Sequence, residues 1–185
     1  MLLALAGVTG VGKSYYKDKI VEKFNFKKVN TIRTRAIRAG EKEGQIGLFM
    51  TSDEIDNLEK NNEIAYRFKV FGGEYAYLSK EIFSKDNMVF EMHYTTIDDW
   101  KKIRPDLKAI YILPSNLEFA IQNTLDRHLS KEKETERILE IQEQYNTFIT
   151  NKDLQSKFDY IVYNNFDKSS EDRLLDLINK IINKG

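Results

Sequence analysis

The chain has 185 residues with 41% hydrophobic content, 29 basic and 29 acidic side chains and no cysteine. That length implies one domain, since compact domains run to roughly 100–200 residues. Balanced charge argues against a general nucleic-acid or membrane-surface binder, and the missing cysteines exclude disulfides, thiolate nucleophiles and Cys-based zinc sites.

Residues 1–6 are apolar, but the run is too short for a signal-peptide core and has no basic leader. No stretch approaches the ~18 apolar residues of a membrane span, so a soluble cytoplasmic protein is expected. Strand-like runs at 2–6, 27–32, 88–92, 107–113 and 158–163 alternate with helical stretches at 13–24, 52–61, 79–85, 95–103, 115–129, 134–150 and 169–183. This alternation predicts an α/β fold with a largely parallel sheet. Thr51 and Glu54 have the spacing of a helix capping box, and Pro105 and Pro114 act as punctuation. Residues 63–78 read as an antiparallel hairpin turning at Gly72-Gly73, a small lobe on the main sheet. Trp100 shares a helix face with Ile97 and Ile103 and is expected in the core; His128 is expected in solvent.

Gly7-Val8-Thr9-Gly10-Val11-Gly12-Lys13-Ser14 fits G-x-x-x-x-G-K-[ST], with a strand before it and a helix after it. Glycines let successive N–H groups converge on phosphate oxygens, and the helix start adds its partial positive charge. The motif therefore assigns ATP and Mg²⁺ as ligands. Gly7, Thr9, Gly10, Val11 and Gly12 cradle phosphate, Lys13 bridges the β- and γ-phosphates, Ser14 ligates Mg²⁺ and Tyr15 follows at the donor site. A dinucleotide fingerprint would want an acid after the second strand, where this chain has Asn30-Thr31-Ile32-Arg33.

Next comes Thr34-Arg35-Ala36-Ile37-Arg38-Ala39-Gly40-Glu41-Lys42-Glu43-Gly44. Two arginines three apart can converge on one phosphate. Here the chain resembles the guanylate kinase family, whose T-R-x-x-R-x-G-E-x-x-G pattern matches at Thr34, Arg35, Arg38, Gly40, Glu41 and Gly44. Weaker matches are Asn61-Asn62-Glu63, Gly72, Tyr75, Pro114-Ser115 and Asn164, so the resemblance runs from residue 2 to about 165. It implies a P-loop NTPase-type parallel sheet flanked by helices (core 1–32, 79–126 and 138–185), an inserted acceptor-binding lobe of mixed strand and helix at 33–78, and a helical lid near 127–137. It further implies that Arg35, Arg38 and Tyr75 hold the acceptor's phosphate, with Thr31 beside them. Arg127 and Arg137 fall near the lid arginines that close on the transferring group, and Asn164 matches a position near the donor adenine.

The departures concentrate on the acceptor side. Gly47 stands where the family brings a tyrosine to the acceptor phosphate, and Ile46 where it has an aspartate. Tyr66 replaces an acidic residue that reads guanine, Tyr75-Ala76-Tyr77 replaces Tyr-Gly-Ser/Thr, and Glu91-Met92-His93 replaces Asp-x-Asp. Guanine readout is polar, and losing such partners costs orders of magnitude in selectivity. Tyr66 and Tyr77 are read either as a stacking surface for another base or as packing of the hairpin. Glu91 and His93 stand at a strand's carboxyl end, where α/β sheets place ligands. Three functions follow: a nucleoside monophosphate kinase with GMP or an altered acceptor, a kinase of a small non-nucleotide phosphate ester, or a non-catalytic binding module. The partner is a phosphorylated small molecule, with no nucleic acid and no membrane, and the protein is a monomer or homodimer.

Overall fold

The computed structural model describes residues 1–37, 42, 44, 47–70, 72–126 and 130–183. Arg38, Arg127, Ile46 and His128, singled out above, lie outside the described residues. In chain order the elements are β1 (Leu2–Gly7), α1 (Lys13–Phe24), β2 (Lys27–Lys28), β3 (Thr31–Arg33), β4 (Leu48–Phe49), α2 (Ser52–Lys60), β5 (Ile64–Val70), β6 (Gly73–Leu78) and α3 (Ser79–Ile82). There follow β7 (Met88–Glu91), a 3₁₀ turn (Tyr94–Thr96), α4 (Ile97–Ile103), β8 (Lys108–Pro114), α5 (Leu117–Leu125), α6 (Lys131–Thr150), α7 (Lys152–Ser156), β9 (Tyr160–Asn164) and α8 (Lys168–Ile182).

Five strands form an all-parallel sheet in the order β2-β7-β1-β8-β9. Every residue of β1 is buried, as a parallel strand covered on both faces requires. One face packs Leu2, Ala4, Ala6, Phe90 and Tyr111 against Trp100 of α4 and Phe148 of α6. The other packs Leu3, Leu5, Val89, Ile110 and Ile112 against Ile20 of α1 and Leu174 and Ile178 of α8. The chain first builds outward from β1 to one side, then returns to build β8 and β9 on the other. Strand order thus reverses at β1, which puts the preferred ligand crevice at its carboxyl end.

The single strand expected over 27–32 is split, and the small sheet begins at Thr31, earlier than expected. Lys27 and Lys28 pair with β7, and the Val29 N–H still reaches the Val89 carbonyl at 3.0 Å. The Asn30 N–H and side-chain amide then both donate to the Glu81 carboxylate at 2.7 Å, turning the chain out of the core sheet. From Thr31 it joins a second sheet of order β4-β3-β6-β5. The hairpin expected at 63–78 is present as β5 and β6, paired antiparallel. Helix α6 begins at Lys131, a turn before the expected start, and the short α7 was not anticipated.

The second sheet is two-faced. Ile32, Ala76 and Leu78 pack against Ile55 of α2, whose capping box is formed as the spacing predicted. The other face carries Thr31 opposite Tyr77, Arg33 opposite Tyr75, Tyr66 opposite Tyr77 and Phe68 opposite Tyr75. Directly opposed residues project to the same side, and this side meets Phe90 and Trp100 of the core. No helix among the described residues is long and apolar enough to cross a membrane.

Candidate active site

Helix α1 starts from Gly12, held at φ 93, with no side-chain cap and no acid in its first turn. By contrast α2, α5 and α8 are capped by Thr51, Asn116 and Asp167 and carry acids in their first turns. A helix start whose N–H groups and partial charge are left to a ligand fits an anionic guest. The Lys13 Nζ arches back to donate to the Gly7 and Val8 carbonyls at 2.8 Å each.

The loop is braced from outside by four side chains. From α6, Gln144 accepts from the Thr9 N–H at 3.1 Å, and Glu140 accepts from the Thr9 hydroxyl at 3.0 Å. Gln144 also donates to Glu140 at 2.8 Å, and Arg137 donates to the same carboxylate. From α5, Asn123 donates to the Gly10 carbonyl at 3.1 Å. Asn164, expected beside the donor base, is buried behind the loop. It donates to the Val11 carbonyl at 3.0 Å and accepts from the Tyr16 hydroxyl at 2.7 Å and the Phe166 N–H at 2.8 Å. Burial pushes the Tyr16 hydroxyl up to about 12, so it stays a donor. Tyr15, expected at the donor site, is half exposed and donates instead to Glu171 of α8. Packing is tight at Gly10, where a Cβ would lie 2.1 Å from the Ala120 carbonyl and φ is +80.

Ser14 is exposed at the start of α1, with its hydroxyl turned toward the Glu91 carboxylate. Glu91, at the end of β7, pairs with Lys17 of α1 at 2.6 Å and is about a quarter exposed (24%). Desolvation pushes its carboxyl up, but the Lys17 and Lys13 charges, the Lys17 hydrogen bond and the nearby Ser14 hydroxyl outweigh that, so it is held below its ordinary value. His93 meets Thr95 at 2.6 Å. Burial, helped by the Lys13 charge and opposed by Glu140, lowers it to about 4, so its ring is neutral at pH 7. Among the described residues no group of three or more His, Asp or Glu is placed to hold a metal unaided. The Ser14 hydroxyl and the Glu91 carboxylate beside the loop are oxygen donors of the kind Mg²⁺ takes, directly or through water, together with substrate phosphates.

On the acceptor side, the Tyr77 ring is 2% exposed, edge-on to Phe90 and Trp100. Its hydroxyl donates to the Glu91 carbonyl at 3.1 Å. Tyr66 packs on Trp100 and donates to Asp99 at 2.7 Å. Tyr75 lies parallel to Phe68, and Arg35 sits over the Phe49 ring while donating to the Ala36 carbonyl. Thr31 is buried at 7% beneath Tyr77. The structure therefore gathers Lys13, Ser14, Glu91, His93 and Arg137 around the loop, and Thr31, Arg35, Tyr66, Tyr75 and Tyr77 on the facing sheet. Sequence reasoning missed Lys17, Asn123, Glu140 and Gln144. Only Gln144 left a trace, as an amide between Ile141 and Phe148 on one apolar helix stripe.

Comparison with known proteins places this architecture. The family model described as guanylate kinase matches residues 1–180. A guanylate kinase from Anaplasma phagocytophilum (strain HZ) is 29% identical over 177 residues, covering 87% of this chain and 83% of that protein. One from Hahella chejuensis is 24% identical over 179 residues, covering 92% and 82%. The crystal structure of guanylate kinase from Anaplasma phagocytophilum superposes with a TM-score of 0.71 at 22% identity, covering 97% of this chain and 85% of that one.

Proposed function

The chain belongs to the guanylate kinase family, and from that premise we propose that it transfers the γ-phosphoryl group of ATP to a nucleoside monophosphate. The observation that carries the reading is the intact, externally braced phosphate loop ending in an uncapped helix start. A module that only bound a protein partner would have no use for Lys13 and Ser14 in that setting.

Phosphoryl transfer demands positioning and charge neutralisation more than a protein nucleophile. The loop N–H groups and Lys13 bind the donor phosphates, and Ser14 is the residue that would hold Mg²⁺. When bound, that ion supplies further neutralisation of phosphate charge. Glu91, kept ionised, faces both Ser14 and the small sheet and orients the acceptor. Arg137, held through Glu140 to Thr9, is poised at the loop edge for the transferring group. Residues 33–78 then form the acceptor side and 127–137 the closing lid, and the cytoplasm, where ATP is abundant, is the compartment implied.

A second reading, a kinase of a small phosphate ester, is favoured by one observation: Tyr66 and Tyr77 have both rings packed and both hydroxyls engaged within the protein. The test is ADP release from Mg-ATP with GMP, dGMP, the other nucleoside monophosphates and sugar phosphates offered separately, with Lys13→Ala as blank. Turnover with one nucleoside monophosphate supports the first reading. Turnover with a sugar phosphate alone replaces it with the second, and silence with all acceptors removes the kinase assignment.

A further inference from the structure

Arg33 stands at the end of β3 with its Nη1 3.5 Å from the Thr31 carbonyl, and its position is unusual. Within β3 the alternation of a strand puts residues 31 and 33 on one face. Cross-strand register fixes that face: Thr31 lies opposite Tyr77 and Arg33 opposite Tyr75, on the side turned to the core sheet. Arg33 is partly buried there, and Phe49 of β4 is its register partner on the other side.

Room for the guanidinium comes from Gly47. A Cβ on that residue would lie 2.2 Å from Arg33 Nη1 and 2.3 Å from the Thr31 carbonyl, and its φ of +143 is one that side-chain-bearing residues rarely adopt. Glycine at 47 and arginine at 33 are thus one arrangement. The Arg33 charge also reaches the Tyr77 hydroxyl, which donates to the Glu91 carbonyl. Glu91 in turn faces Ser14, Lys17 and Lys13. Arg33 therefore acts electrostatically on Tyr77, whose hydroxyl is bonded to the residue that faces the phosphate loop. It sets a planar guanidinium on an otherwise aromatic surface, a group that matches a phosphate monoester dianion.

We propose that Arg33, seated over Gly47, is an acceptor-binding residue that holds the phosphate of the monophosphate acceptor and sets specificity for a phosphorylated over an unphosphorylated acceptor. This rests on the kinase reading above.

The test is acceptor kinetics and calorimetric binding on Arg33→Gln and Arg33→Lys, using nucleoside monophosphates and the matching nucleosides as probes. Thermal melts confirm that each variant is folded. For Arg33→Gln, the acceptor KM and Kd should rise roughly 10- to 100-fold, the range for a lost charge-assisted hydrogen bond. The KM for ATP should stay within about twofold, and preference for the monophosphate over its nucleoside should fall by the same factor. Arg33→Lys should recover part of the loss, because the charge remains while the fork does not. A merely structural arginine would change kcat and both KM values together, or only the melting point. An unchanged acceptor KM and Kd in a folded, active Arg33→Gln protein overturns the Arg33 assignment and leaves the kinase reading standing. Absence of monophosphate binding and turnover in the unsubstituted protein overturns both.

Discussion

The two walls of the cleft are built on different rules. On the loop wall, shape comes from backbone. Glycines at positive φ turn residues 7–12, and Asn123, Glu140, Gln144 and Asn164 hold the turns from three different elements. On the small-sheet wall, shape comes from side chains: a ladder whose core-facing alternation carries Thr31, Arg33, Tyr66, Phe68, Tyr75 and Tyr77. A backbone cradle binds what every nucleoside triphosphate shares and tolerates little change. A side-chain face keeps its ladder when one residue is replaced by another, so recognition there can be rewritten while the frame stands. That contrast fits a chain with a complete phosphate motif whose departures from the expected family pattern, at Gly47, Tyr66 and Tyr77, fall on or beside the side-chain wall.

The largest test of this contrast is on the loop wall. Lys13→Ala should lower ADP release by roughly 10²–10³-fold, the cost of one preorganised electrostatic donor in a closed site. The fold should survive, because the Lys13 ammonium reaches the Gly7 and Val8 carbonyls of its own loop at 2.8 Å each and no core side chain among the described residues rests on it. A loss below tenfold in steady-state turnover would mean that the loop is not the catalytic wall. Gly10→Ala acts on the cradle itself. It forces a Cβ to 2.1 Å from the Ala120 carbonyl at a φ of +80. Urea unfolding should show a destabilisation of about 2 kcal/mol or more, together with weakened ATP binding. A silent Gly10→Ala would show that the loop yields more easily than its bracing implies.

The same contrast governs what could be read from sequence. The loop was legible because glycine spacing, a lysine and a hydroxyl are the chemistry, and flanking periodicity gave the strand and helix. The core strands were legible as apolar runs. The break at Asn30 was not, because it depends on Glu81, fifty-one residues away, offering its carboxylate to two donors. The bracing of Thr9 by Glu140 and Gln144 was hidden for the same reason: ordinary helical polar residues gain meaning only when α6 is laid across the loop. Asn164 was expected beside the donor base, but its contacts in the fold lie behind the loop, where only tertiary packing could put them. Tyr66 and Tyr77 were ambiguous in sequence because a β-prone aromatic reads alike whether it packs or binds.

Between the walls sits His93, and its titration tests how dry the junction is. Its folded value of about 4 lies below the ordinary 6.5, so the fold prefers the neutral ring. Between those values the unfolded chain binds the extra proton, and stability therefore rises with pH across that window. Acidification from about 6.5 toward about 4 should cost on the order of 2 kcal/mol, discounted for partial exposure. Chemical denaturation at a series of pH values measures it, and His93→Gln should flatten that limb. A pH-independent midpoint over this range would show the ring to be solvated and the junction wet.

The smallest expected effect separates the walls most cleanly. Tyr66→Phe keeps the ring on Trp100 and removes only the O–H that donates to Asp99 at 2.7 Å. If the ring and hydroxyl are packing, stability should fall by about 1 kcal/mol, the usual worth of one hydrogen bond, and KM for both substrates should stay within about twofold. If Tyr66 instead touches the acceptor's base, the order reverses: acceptor KM rises while the urea midpoint holds. The first result places base selection outside this tyrosine and leaves the proposed Arg33 contact as the acceptor's main handle. The second turns the aromatic surface itself into the reader of the base, and the small sheet becomes a recognition wall along its whole length.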